Sequence, residues 1–177
     1  MRGIGRKLWE HLLANSKNDL FTVHSSPYCG SDCCTVCPQK TACGGCRETG
    51  GHPFGGVCVA AVCVEQGGLE ELDCWKRAAI AELNALGIPD LHIGDLIPLN
   101  GFYVNLEYHL PNGQAVKLLE DRKVYLGAQI ERPGQERCYG VVADEKYLLV
   151  CEYGCNGAAP EIVCYKRRQQ AGQSPET

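Results

Sequence analysis

The sequence predicts an α+β protein: a cysteine-rich, metal-organised N-terminal region, an amphipathic helix, and a C-terminal antiparallel β-sheet. Three observations carry that prediction. Nine of the 13 cysteines lie between Cys29 and Cys74, and the other four between Cys138 and Cys164. Apolar residues recur at helical spacing over 69–86, and from Leu96 onward they alternate with period two. The split implies that the two parts of the 177-residue chain are held together by different means.

Composition narrows the function classes. Seventeen basic residues against 21 acidic ones give a formal charge of −4, which argues against a dedicated nucleic-acid binder. Short basic runs at the two ends (Arg2, Arg6 and Lys7; Lys166, Arg167 and Arg168) read as solvated termini. No stretch approaches the roughly 18 apolar residues of a membrane span, so no membrane partner is expected. Residues Ile4 to His11 interrupt any apolar signal core, which reads as a cytoplasmic chain with reduced thiols. An odd number of cysteines excludes complete internal disulfide pairing.

Taken in order, residues 1–24 read as a short helix (Ile4, Leu8 and Leu12 at four-residue spacing) followed by an extended segment, Leu20–Val23. Residues 25–68 are rich in Gly, Pro, Ser and Cys, with no sustained apolar period apart from Val57–Val64. A loop of about 40 residues is implausible in a compact domain unless something other than an apolar core orders it. Metal ligation would do so, because its binding free energy becomes folding free energy.

Residues 69–90 read as a connecting helix and its exit. Leu72, Ala79 and Leu86 repeat every seven residues, Leu69, Trp75, Ile80 and Leu83 widen the stripe, and Gly87 and Pro89 stop it. Residues 96–168 read as the β domain. Phe102, Val104, Leu106, Tyr108 and Leu110 alternate with polar or amphipathic neighbours, and Asn112-Gly113 signals a hairpin. With a two-residue loop there, Leu106 faces Leu119. A turn at Asp121-Arg122 then continues one apolar face through Val124, Leu126 and Ile130. Further strands fit 137–143, 147–153 and 161–166 in a sheet with one buried face against the helix. Residues 169–177 read as a disordered tail.

The chemistry lies in the first cysteine set: Cys29, Cys33, Cys34, Cys37, Cys43, Cys46, Cys58, Cys63 and Cys74. Cys34/Cys37 and Cys43/Cys46 are C-x-x-C pairs, whose turn directs two sulfurs toward one ion. Thiolates are soft ligands, so four of them select Zn2+ or an iron–sulfur cluster over Ca2+ or Mg2+. Zinc is favoured, since the C-x2-C-x2-C run of bacterial ferredoxins is absent; a [4Fe-4S] cluster is the alternative. Eight thiols furnish two four-ligand sites, with one of Cys33 and Cys34 left over. His24 and His52 are candidate replacements for a sulfur, though each reads better as a loop histidine.

Tyr28-Cys29-Gly30-x-Asp32-Cys33, Cys34-x-x-Cys37-Pro38, Cys43-Gly-Gly-Cys46-Arg47 and the later Cys58, Cys63 and Cys74 resemble a family of short cysteine-rich prokaryotic domains. The hallmark of that family is CG-x-x-C-x-x-C-P followed by C-x-G-C. The resemblance covers residues 27–75 and implies metal binding without an assigned activity. The doubled Cys33-Cys34 departs from the pattern and leaves the ligand between them open.

Cys138, Cys151, Cys155 and Cys164 read first as strand and core residues, second as a further metal or redox site. A two-residue loop at Asp144-Glu145 places Cys138 opposite Cys151. A three-residue loop pairs Cys138 with Glu152 and turns Cys151 to the other face. Enzyme motifs are scarce: there is no phosphate loop or nucleotide fingerprint, and Glu70-Glu71 and Glu120-Asp121 have ordinary helix-start and turn explanations. The reading is a cytoplasmic metal-binding interaction or regulatory module. An iron–sulfur redox protein is the first alternative, and a thiol enzyme using Cys151 or Cys155 the second. A protein partner fits this reading; the sequence names none, and it leaves the oligomeric state open.

Overall fold

Alternating apolar residues in the C-terminal half produce the strands of a computed structural model that describes residues 28–30, 40–100, 107–154 and 159–168. The strands are β1 (Ile97–Asn100), β2 (Glu107–His109), β3 (Ala115–Lys117), β4 (Val124–Glu131), β5 (Arg137–Ala143), β6 (Tyr147–Gly154) and β7 (Glu161–Arg167). β1, β4, β5, β6 and β7 form one antiparallel sheet in that spatial order, while β2 and β3 pair separately. Two α-helices precede them among the described residues: α1 (Lys40–Cys43) and α2 (Val59–Asn84). The chain is therefore α+β. The expected helix at 4–14, the segment 20–23 and the tail 169–177 lie outside the described residues.

The heptad stripe folds as its spacing dictates. Leu72, Ala79 and Leu83 of α2 are buried against Val124 and Leu126 of β4, Val141 of β5 and Val150 of β6. Past the helix, Gly87 takes a positive φ of 65°. The Asn84 side chain then holds the returning chain: its Nδ2 donates to Ile93 O (3.0 Å) and its Oδ1 accepts from Ile93 N (2.8 Å).

Three expectations need correction. α2 opens with a helical stretch at 59–66 ahead of the expected one from 69, so these residues are helical instead of loop. Gly67 and Gly68 break its regular geometry, with Gly68 at φ 74° and ψ −165°, a region open essentially to glycine alone. The β2–β3 hairpin closes with a three-residue loop: Glu107 pairs with Lys117, Gly113 N donates to Leu110 O, and Gly113 sits at φ 82°. Its register is thus one residue off the two-residue expectation; Leu106 itself lies outside the described residues. Finally, the sheet buries both faces rather than one. Leu119 packs with Tyr125, Val142, Leu149 and Cys151 on the face opposite Val124, Leu126 and Ile130.

Candidate metal centre

Cysteine side chains gather where the loop between α1 and α2 meets β4. The Cys43-Gly-Gly-Cys46 turn closes through Gly44 N donating to Lys40 O at 2.8 Å. Its glycines take φ of 78° and 81°, consecutive left-handed positions that side chains with a Cβ rarely adopt. Gly51 N donates to Cys46 O (2.6 Å), and Cys58 N donates back to Gly51 O (3.3 Å). Val124 N of β4 donates to Val57 O at 2.8 Å, which fixes Cys58 at the mouth of α2. Gly56 makes that docking feasible, since a Cβ there would stand 1.9 Å from Arg122 O.

The result is a thiol group assembled from distant stretches. Cys46 is 9% and Cys58 6% exposed, and Cys29 packs against the same core. Tyr28 N donates to the Cys46 sulfur at 3.4 Å. Burial pushes the Cys58 thiol up to about 11. The amides of Ala61 and Ala60 in the first turn of α2 act against that shift, and the charges of Cys29 and Cys46 add to it. No side-chain hydrogen bond closes the α2 cap at Cys58. Burial likewise raises Cys63 to about 11, helped by Glu71 and Cys58 and opposed by Arg168.

Gly51 links Cys46 and Cys58 through the backbone, a relation that sequence spacing alone does not show. Among the described residues, no three His, Cys, Asp or Glu side chains stand close enough to hold an ion as they are placed. The donor chemistry fits a soft metal: buried sulfurs, two of them acted on by backbone amides, at the open end of a helix. No disulfide joins any two of the nine described cysteines. Cys43 ends α1, and Cys74 stands exposed on α2. Cys33, Cys34, Cys37 and His24 lie outside the described residues. His52 is exposed, with Nδ1 3.2 Å from Gly56 O, as suits a loop histidine.

The second cysteine set does not converge as either hairpin register required. Asp144 N donates to Tyr147 O (3.1 Å), so Glu145-Lys146 form the turn and Ala143 pairs with Leu148. Asp144 fixes this turn through Oδ1, which accepts from Lys146 N and Tyr147 N at 2.8 and 2.7 Å. Cys138 then pairs with Tyr153, and Cys151 with Gly140. Both cysteines share a face, two positions out of direct opposition. Cys138 is fully buried and its sulfur lies 3.6 Å from Gln129 Nε2, which donates to it. Cys151 is fully buried among Leu149, Val142 and Ile162, and burial pushes its thiol up to about 12. A neutral, enclosed thiol is a poor nucleophile. Cys164 is partly buried against the α2 side of the sheet, and Cys155 lies outside the described residues.

Among the described residues no helix is long and apolar enough to cross a membrane. Compared with family models, curated proteins and solved structures, the chain finds no match in any of the three.

Proposed function

We propose that this chain is a cytoplasmic metal-binding module, with zinc held by cysteine thiolates, that serves interaction or regulation rather than catalysis. The observation that supports the reading is the placement of buried Cys46 and Cys58 on either side of Gly51, whose backbone bonds both Cys46 O and Cys58 N. There the Cys46 sulfur accepts from Tyr28 N, and burial pushes the Cys58 thiol up to about 11. Crowded buried thiols each hold their protons tightly. A divalent cation displaces those protons and removes the mutual repulsion of the thiolates. Cys63, next to Cys58 on the same helix, and the Cys43 end of the glycine turn are the nearest sources of further ligands.

Metal analysis of protein purified without oxygen tests the reading. Zinc bound stoichiometrically to colourless protein is the expected result. A brown protein with visible charge-transfer absorption would identify an iron–sulfur cluster on the same thiols. Protein that binds neither metal, even when reconstituted under reducing conditions, would refute the proposal.

A further inference from the structure

The two edges of the sheet are built differently. β1 is four residues long and contains Pro98, a short proline-bearing edge of the kind that resists pairing. β7 is seven residues long, lacks proline, and among the described residues pairs with no strand on its outer side. Its Val163 and Tyr165 are 42% and 44% exposed, and the Tyr165 ring stacks on Tyr147 with centroids 5.2 Å apart.

The hydrogen-bond phase shows which backbone groups this edge offers. Arg168 N donates to Lys146 O at 2.7 Å, so residues 168, 166 and 164 turn their amides and carbonyls toward β6. Tyr165 and Arg167 therefore present theirs outward. Val163 is the extra residue at the bulge beside Cys151.

We propose that β7 pairs antiparallel with β7 of a second copy of this chain about a two-fold axis at Tyr165, joining two five-stranded sheets into one of ten. In that register Tyr165 meets Tyr165 of the other copy, Val163 meets Arg167, and Cys164 meets Lys166. The outward amide and carbonyl of Tyr165 bond those of Tyr165 in the other copy, and no like charges stand opposite one another. The Tyr147–Tyr165 stack continues across the axis as a row of four rings. Neighbouring registers fare worse for the rings. Centring on Lys166 opposes two ammonium groups, and centring on Cys164 sets Tyr165 against Val163, which breaks the row of rings.

Sedimentation of the full chain under reducing conditions, over a concentration series, tests the proposal. The unmodified protein should show a reversible monomer–dimer equilibrium. Val163→Lys, which sets a lysine against Arg167, should raise the dimer dissociation constant at least tenfold with an unchanged far-UV spectrum. Adding Arg167→Glu to that variant should restore the dimer, because each new lysine then faces a glutamate. A monomer at all concentrations up to about 1 mM would overturn the proposal. A dimer indifferent to Val163→Lys would place the interface elsewhere and overturn it too. Failure of the double variant to recover the dimer would refute the register.

Discussion

Replacing Arg168 with alanine should cost the fold about 3 kcal/mol, although the sequence suggests a solvated terminal charge. The side chain is 8% exposed, and its Nε and Nη2 both donate to Glu82 Oε1, at 2.9 and 2.7 Å. Nη1 donates to Asp144 O at 3.1 Å, and the guanidinium lies 4.4 Å from the Trp75 ring centroid. Removing one member of a buried pair costs roughly 3–5 kcal/mol, because the other charge stays behind without its partner. Glu82 is 20% exposed, which lowers the pair's share to about 2 kcal/mol, and losing the stack on Trp75 adds about 1 kcal/mol. For a chain of this size, about 3 kcal/mol is a fall in Tm of roughly 6–12 °C. Urea unfolding of Arg168→Ala, Glu82→Gln and the double variant gives the coupling directly, which should exceed about 1.5 kcal/mol. A loss below about 1 kcal/mol for Arg168→Ala, or additive single variants, would show that the clasp between β7 and α2 carries no weight.

Three further outcomes follow from the same structure. Stripping metal with a chelator should expose residues 25–57 to proteolysis while α2 and the sheet keep their far-UV signature, and an unchanged cleavage pattern would refute metal as the organiser. Gly56→Ala should lower stability by about 1–3 kcal/mol and weaken metal binding, since its Cβ would meet Arg122 O at 1.9 Å; a neutral variant, measured by melting and metal titration, would mean that the loop docks otherwise. Cys151 should alkylate at least ~100-fold more slowly in folded protein than in urea at neutral pH, read by peptide mass. Its folded thiol is raised from 9.0 to about 12, so its stabilisation is complete below pH 9.0 and lost as pH climbs through 12. Equal labelling in both states would revive the thiol-enzyme reading.

The elements that were legible in the sequence are those with a period and a stop. The strands at 137–143, 147–153 and 161–166 and the stripe from Leu72 to Leu83 appear where spacing put them, because the two-residue period of a strand and the seven-residue stripe of a helix hold even where both sheet faces are buried. Gly67 and Gly68 do punctuate the helix, so the stripe from 69 is a helical segment of its own; what spacing missed is the preceding segment from Val59, which lies in a stretch rich in glycine and cysteine. Leu119 could not be assigned to a face from alternation, because a one-residue change in hairpin loop length reverses every side chain beyond it. Arg168 looked like the end of a charge run, and only the packing of β7 against α2 brings it onto Trp75 and Glu82. The thiols show the same limit. C-x-x-C spacing relates neighbours such as Cys43 and Cys46, but it does not encode the docking of Val57 on Val124 that carries Cys58 to Cys46 and Cys29.

That docking gives the regulatory reading a physical route. Cys58 starts α2 and belongs to the main core beside Val59, Ala60 and Val124. A ligand that holds Cys58 would therefore restrain the first turn of α2, whose later turns pack on the sheet through Leu72, Ala79 and Leu83. The broken geometry at Gly67-Gly68 lies between the two stretches. Binding energy at the thiols would reach the sheet by two paths, directly through the Val57–Val124 hydrogen bond and indirectly along α2. A metal at a thousandfold excess over its Kd stabilises whatever it is linked to by about 4 kcal/mol. If the direct path dominates, metal should raise the unfolding midpoint of the sheet as well as protect the loop, and Gly56→Ala should abolish the first effect while leaving part of the second. If the sheet melts identically with and without metal, the thiol site and the β domain are neighbours without energetic coupling. The module could then bind a metal, but it could not transmit that event to the β7 edge.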